Sequence, residues 1–151
     1  MAKKEDLIGY CGLYCGDCSG YTQTVANLAR DLRGELRRYR FDLMAKMFAT
    51  IPFFKEFKDY EKCYNLLGTM MKLRCKKVCK GNGGPPNCKI RNCARKKSLD
   101  GCWQCDDFST CEKLKILEPH HGKASLKNLR KLKSQGVAAF IKGKRYWFAE
   151  K

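Results

Sequence analysis

Ten of the eleven cysteines in this chain of 151 residues stand at spacings that suit metal ligands. The first group, Cys11-Gly-Leu-Tyr-Cys15-Gly-Asp-Cys18, is a C-x3-C-x2-C run. Three thiols this close can converge on one ion or cluster, and the interspersed glycines let the backbone curl around it. The second group is Cys75-x3-Cys79, Cys88-x4-Cys93 and Cys102-x2-Cys105, then Cys111 after five intervening residues. The C-x2-C turn carries the strongest signal, because two intervening residues let both sulfurs reach one ion at about 2.3 Å.

A thiol redox pair would want a βαβ context around that turn, and no segment shows sustained β alternation. Cys63 lies inside a helical pattern with no other cysteine near it, and reads as a small buried apolar side chain. Ten candidate ligands remain. Two closed four-cysteine zinc sites need only eight, and the first group, with three, must recruit a fourth from elsewhere. That recruitment would pin the N-terminal segment to the later cysteines and turn metal binding into folding free energy. Which cysteines share an ion stays open.

Zinc and an iron–sulfur cluster both suit clustered thiolates. The knuckle with spread-out partners favours structural zinc, and the C-x3-C-x2-C run is closer to cluster spacings. Zinc is the leading expectation and the iron–sulfur cluster, with a redox or electron-transfer role, the alternative. Radical S-adenosylmethionine enzymes share the first spacing, but 151 residues cannot enclose a cluster in a full barrel of roughly 250.

No catalytic constellation is readable. His120-His121 could complete a zinc site with an exchangeable position, yet it follows Glu118-Pro119 and reads as a loop into the next helix. Residues 81–87, Gly-Asn-Gly-Gly-Pro-Pro-Asn, lack the Lys and Ser/Thr that follow a P-loop's last glycine. They read as a loop between cysteine groups.

The elements that must position these thiols are helical. Val25, Leu28, Leu32, Leu36, Tyr39, Leu43 and Met47 recur at steps of three or four, a stripe expected to face a core. Pro52 suits the first turn of a following helix, along which Phe53, Phe57, Tyr60, Tyr64, Leu67 and Met71 repeat. So short a connection predicts an antiparallel pair. A short helix is expected at Ile90 to Lys97. Ser109-Thr110-Cys111-Glu112 fits a capping box that would place Cys111 in a helix's first turn, where the dipole favours a thiolate. Leu126, Leu129 and Leu132 predict a tail helix that ends at Gly136, after which Val137, Phe140 and Ile141 begin another face.

The expected fold is mainly α, a small helical domain with irregular cysteine-rich metal-binding loops. One domain, 1–151, would comprise a cysteine-rich start at 1–20, a helical pair at 22–74, a metal-binding region at 75–117 and a helical tail at 122–151. Hydrophobic residues at 44% exclude a disordered polymer. The start, MAKKEDLIGYCG, has no apolar run of signal-peptide length, and no stretch could span a bilayer. A cytoplasmic protein is expected, in which such thiols serve metal rather than disulfides.

Charge adds a second expectation. Residues 1–75 carry 13 Lys or Arg against 9 Asp or Glu, and residues 76–151 carry 19 against 6. Arg91, Arg95, Lys96 and Lys97, with Lys127, Arg130, Lys131 and Lys133, could neutralise phosphates, and Trp103, Tyr146 and Trp147 could stack on bases. Nucleic acid is therefore one candidate partner and a protein the other. A solvated surface offsetting thiolate charge is the plainer reading, since each Zn²⁺ held by four thiolates carries about −2.

The sequence resembles an uncharacterised bacterial and archaeal family, domain of unknown function 3795. The resemblance rests on Tyr-Cys-Gly-Leu-Tyr-Cys-Gly-Asp-Cys at 10–18, Cys-Lys-Ile-Arg-Asn-Cys-Ala at 88–94, Cys-Trp-Gln-Cys at 102–105 and Ser-Thr-Cys-Glu-Lys-Leu at 109–114. The tail from Leu126 to Ile141 resembles the family's end. The resemblance implies metal binding, presumed to be zinc, with no assigned activity. Its pattern falls on Cys11, Cys15, Cys18, Cys75, Cys79, Cys88, Cys93, Cys102, Cys105 and Cys111, and not on Cys63. The sequence departs from the family at 75–79, where C-x3-C replaces C-x2-C.

Overall fold

The computed structural model describes residues 3–148. The fold is mainly α, and among the described residues there is no strand, only an isolated antiparallel bridge between Ile8 and Tyr14. The helices are α1 (Ser19–Thr22), α2 (Thr24–Arg38), α3 (Phe41–Phe48), α4 (Tyr60–Met70), α5 (Lys89–Lys96), α6 (Glu118–His121) and α7 (Ala124–Lys142), joined by short 3-10 turns. The chain divides into two compact units: Thr22–Arg74 is one, and the segments on either side of it form the other.

In the unit Thr22–Arg74, α2 and α4 run antiparallel. Arg74 reaches Gln23 at 2.6 Å and Asn27 at 2.9 Å at one end, Arg33 lies 4.2 Å over the Tyr64 ring midway, and Phe41 meets Phe57 and Tyr60 at the other. The expected stripe does not face a core. Leu28, Leu32, Leu43 and Met47 are exposed, and the buried residues are Ala26, Ala29 and Ala45. The buried positions on α2, Ala26 and Ala29, lie one position over, with half-buried Arg33 in line, because small alanines meet the facing helix there and Gly68 leaves room for the Arg33 guanidinium. The pattern also breaks at Arg40, whose φ of 50° ends one helix before the next. Pro52 opens a turn as expected, but the stretch Pro52–Asp59 is 3-10 and regular α-helix starts at Tyr60. Cys63 is exposed, not buried, since α4 turns Tyr64 and Gly68, and with them Met71 just beyond its end, towards α2.

The other unit closes two apolar clusters on α7. Ile8 and Tyr14 pack with Leu132 and Phe140, while Ile90 and Phe108 pack with Leu114 and Leu129. Gly136, at φ 78° and ψ 172°, interrupts α7 as the periodicity predicts. The break lets Leu132 before it and Phe140 after it enter the same cluster. Asn128, fully buried, donates to the Tyr146 carbonyl at 2.8 Å and accepts from its N–H at 2.9 Å, which ties the chain end to α7.

Candidate metal centre

The first cysteine group sits on a tight loop that the rest of its unit grips. The Gly9 N–H donates to the Leu13 carbonyl at 2.8 Å, closing the turn that carries Cys11. Ser125 donates to the Cys11 carbonyl at 2.7 Å, and the Cys102 N–H donates to the Tyr10 carbonyl at 2.8 Å. Gly12, at φ 80°, lies so close to Leu129 that a Cβ there would come within 2.9 Å of it. Arg145 clamps Asp17 through two bonds of 2.8 and 3.0 Å and lies 4.5 Å over the Tyr14 ring. The hydrogen bonds to Asp17 hold the Arg145 guanidinium above its ordinary range.

The glycine-rich loop is wrapped around a side chain. Arg91 of α5 is buried and donates to the carbonyls of Gly83 at 2.6 Å, Pro85 at 2.7 Å and Pro86 at 2.9 Å. Loop carbonyls without backbone partners are costly to bury, and one guanidinium satisfies three of them. Gly83 approaches the Lys77 carbonyl closely enough that a Cβ would overlap it. Arg95 is engaged in the same way, by Asn82 at 2.7 Å and the Lys80 carbonyl at 2.8 Å. These two arginines, candidates for a phosphate-binding face, hold the loop between Cys79 and Cys88, Arg91 buried within it and Arg95 exposed on it. Trp103 packs against both clusters, and Trp147 lies edge-on to His121.

Among the described residues no two cysteines are joined in a disulfide, and the ten expected ligands are half-buried within this one unit. The Cys79 N–H donates to Cys15 Sγ at 3.5 Å and the Gly84 N–H to Cys75 Sγ at 2.9 Å. The Cys75 N–H donates to the Gly20 carbonyl at 2.8 Å, two residues beyond Cys18. A Cβ on Gly20 would stand 3.6 Å from Cys18 Sγ. Elsewhere, Cys93, Cys102, Cys105 and Cys111 line one cavity of about 290 Å³ with Lys97, whose Nζ lies 3.7 Å from Cys105 Sγ. The nearby Cys105 and Cys93 sulfurs hold the Lys97 ammonium above its ordinary range.

The capping box at Ser109–Glu112 is not formed. Cys111 has extended backbone, φ −70° and ψ 111°, between two 3-10 turns, Asp106–Thr110 and Glu112–Leu117. Phe108 and Leu114 both turn into the same apolar cluster, and a straight helix through Cys111 gives way to that packing. The helix start expected to favour its thiolate is therefore absent.

Burial pushes the Cys11 and Cys102 thiols up to about 12 and raises Cys15 as well. Neighbouring sulfurs push the same way: Cys79, Cys88 and Cys102 on Cys11; Cys79, Cys18 and Cys75 on Cys15; Cys111, Cys105, Cys93 and Cys88 on Cys102. Among the described residues, no three of His, Cys, Asp or Glu are gathered in a geometry that could hold an ion as they stand. His121 Nδ1–H donates to the Trp147 carbonyl at 2.5 Å, and His120 lies edge-on to Phe148, so the histidine pair anchors the chain end.

No helix among the described residues is long and apolar enough to cross a membrane. A family model described as Protein of unknown function (DUF3795) matches residues 7–116. The tail at 126–141 lies outside that span. No curated protein matches the chain, and no solved structure does.

Proposed function

The chain belongs to the DUF3795 family, and from that premise we propose that it is a cytoplasmic metal-binding protein with structural zinc sites. The sites hold the cysteine-bearing unit together and present a surface for a protein partner. One observation carries this reading: ten half-buried cysteines, none in a disulfide, share one unit, while the remaining cysteine is exposed on the other. The donor set fits zinc. The donors are all sulfur, two of the sulfurs receive backbone N–H groups, and Lys97 stands beside another to offset thiolate charge. Rotation about cysteine χ1 moves a sulfur between staggered positions on an unmoved turn, and this is how half-open groups close on an ion. Zinc, when bound, supplies tetrahedral links and no redox change.

Metal analysis with an absorption spectrum, on protein purified without oxygen, tests the proposal. Bound zinc in colourless protein is expected. A brown protein whose visible absorption bleaches on reduction replaces zinc with an iron–sulfur cluster, and protein without bound metal overturns the reading.

A further inference from the structure

We propose that the ten thiols divide into two four-sulfur sites, Cys15, Cys18, Cys75 and Cys79 in one and Cys93, Cys102, Cys105 and Cys111 in the other. Cys11 and Cys88 lie between them and bind no ion. This partition rests on the metal-binding reading above and adds to it which side chains share a metal.

The first site draws on two chain segments that backbone hydrogen bonds already join. Cys79 reaches Cys15 through its N–H, and Cys75 is fastened to Gly20, beside the Cys18 sulfur. The N–H groups of Cys79 and Gly84 point at the Cys15 and Cys75 sulfurs, the kind of donor that stabilises a ligating thiolate. The sulfurs nearest Cys15 are those of Cys79, Cys18 and Cys75, and no other cysteine figures among its main neighbours.

The second site is one cavity. Cys93 enters it from α5, Cys102 and Cys105 from the C-x2-C turn, and Cys111 from the extended link between two 3-10 turns. The first three sulfur neighbours of Cys102 are the other members of that cavity, and Cys88 comes after them. Lys97 sits at its edge, where a cation offsets the charge of about −2 that four thiolates and Zn²⁺ carry.

Cys11 and Cys88 line neither group. The sulfur neighbours of Cys11 are Cys79 from one site, Cys102 from the other and Cys88. Cys11 is thus intermediate between two sites and complete in neither. Cys88 stands just before α5 and, like Cys11, packs against the apolar cluster of Ile90, Phe108, Leu114 and Leu129, which the second site's Cys102, Cys105 and Cys111 also border. Eight ligands then close two ions, and the excess of two thiols over that number has a structural explanation.

The test counts zinc per folded monomer, isolated by size exclusion, in full-length variants, and repeats the count as Co²⁺ loading read by thiolate-to-cobalt absorption. Wild type should hold about two ions. Cys11→Ala and Cys88→Ala, with Cys63→Ser as control, should keep two. Cys18→Ala and Cys105→Ala should each fall to about one with half the cobalt absorption, and their combination to about none. Should an alanine variant fail to fold, Cys18→His and Cys105→His keep a zinc ligand and should restore two ions. Loss of an ion in Cys11→Ala or Cys88→Ala overturns the partition, as does full retention in Cys18→Ala or Cys105→Ala. Wild type without metal overturns the underlying reading instead, so the two failures are distinct.

Discussion

In the cysteine-bearing unit the buried side chains include Ile8, Leu129, Leu132 and Phe140, and irregular loops are tied down by buried polar groups. In the unit Thr22–Arg74 the buried residues are three alanines, and Leu28, Leu32, Leu43, Met47 and Phe53 are exposed. The first unit has little regular structure around its thiols and relies on specific pins: Arg91 in the glycine-rich loop, Asn128 on Tyr146, Arg145 on Asp17. The second has regular helices, an aromatic series from Phe48 through Phe57 to Phe41, Tyr60 and Tyr64, and one half-buried pin at its end, Arg74 on Gln23 and Asn27. Regular backbone satisfies its own hydrogen bonds, whereas loops need side chains to do so. An exposed apolar face of this kind is what interaction surfaces present.

Both tryptophans, Trp103 and Trp147, lie in the cysteine-bearing unit, so their fluorescence follows that unit while far-ultraviolet circular dichroism follows both. The contrast is sharpest at Arg91. Arg91→Met leaves three carbonyls without donors and should cost about 3 kcal/mol, read as an earlier fluorescence transition in urea. Unfolding of the Thr22–Arg74 unit should not move. A shared shift would show that the two units unfold as one.

A smaller effect follows from His121. Burial, chiefly, holds its imidazole below the ordinary 6.5. As pH falls below 6.5 the unfolded chain takes up a proton before the folded one does, so this contribution is present above 6.5 and lost on acidification. His121→Phe should flatten the fall in the fluorescence-monitored midpoint between about pH 6.5 and 5. An unchanged slope would remove His121 from the account.

The smallest effect is expected on the other unit. Leu28→Gln with Leu32→Gln should change stability by no more than about 0.5 kcal/mol each, as surface substitutions do. A loss of 2–5 kcal/mol, the range for large core side chains, would restore the core-facing stripe and break the comparison.

The helical class, the break at Gly136, the helix at Ile90 and the irregular cysteine loops were legible because each depends on local preferences: periodicity, a glycine at positive φ, proline at a helix start. Burial of the Leu28 stripe was not, because periodicity identifies an apolar face without saying what meets it, and Ala26 and Ala29 allow the closer approach. The buried Arg91 was hidden by its charge, although seven residues of loop rich in Gly and Pro needed a donor from somewhere. Isolation along the chain set Cys63 apart from the candidate ligands, but its exposure followed from the face α4 turns to α2.

Cysteine type and spacing, set by neighbours a few residues apart, determined by themselves which ten thiols are candidates. Only the tertiary structure decided which of them meet, since Cys15 and Cys79, or Cys93 and Cys111, are brought together by long-range packing on α7 and by backbone bonds between distant loops. Spacing acts along the chain, and a shared ion is a property of positions in space.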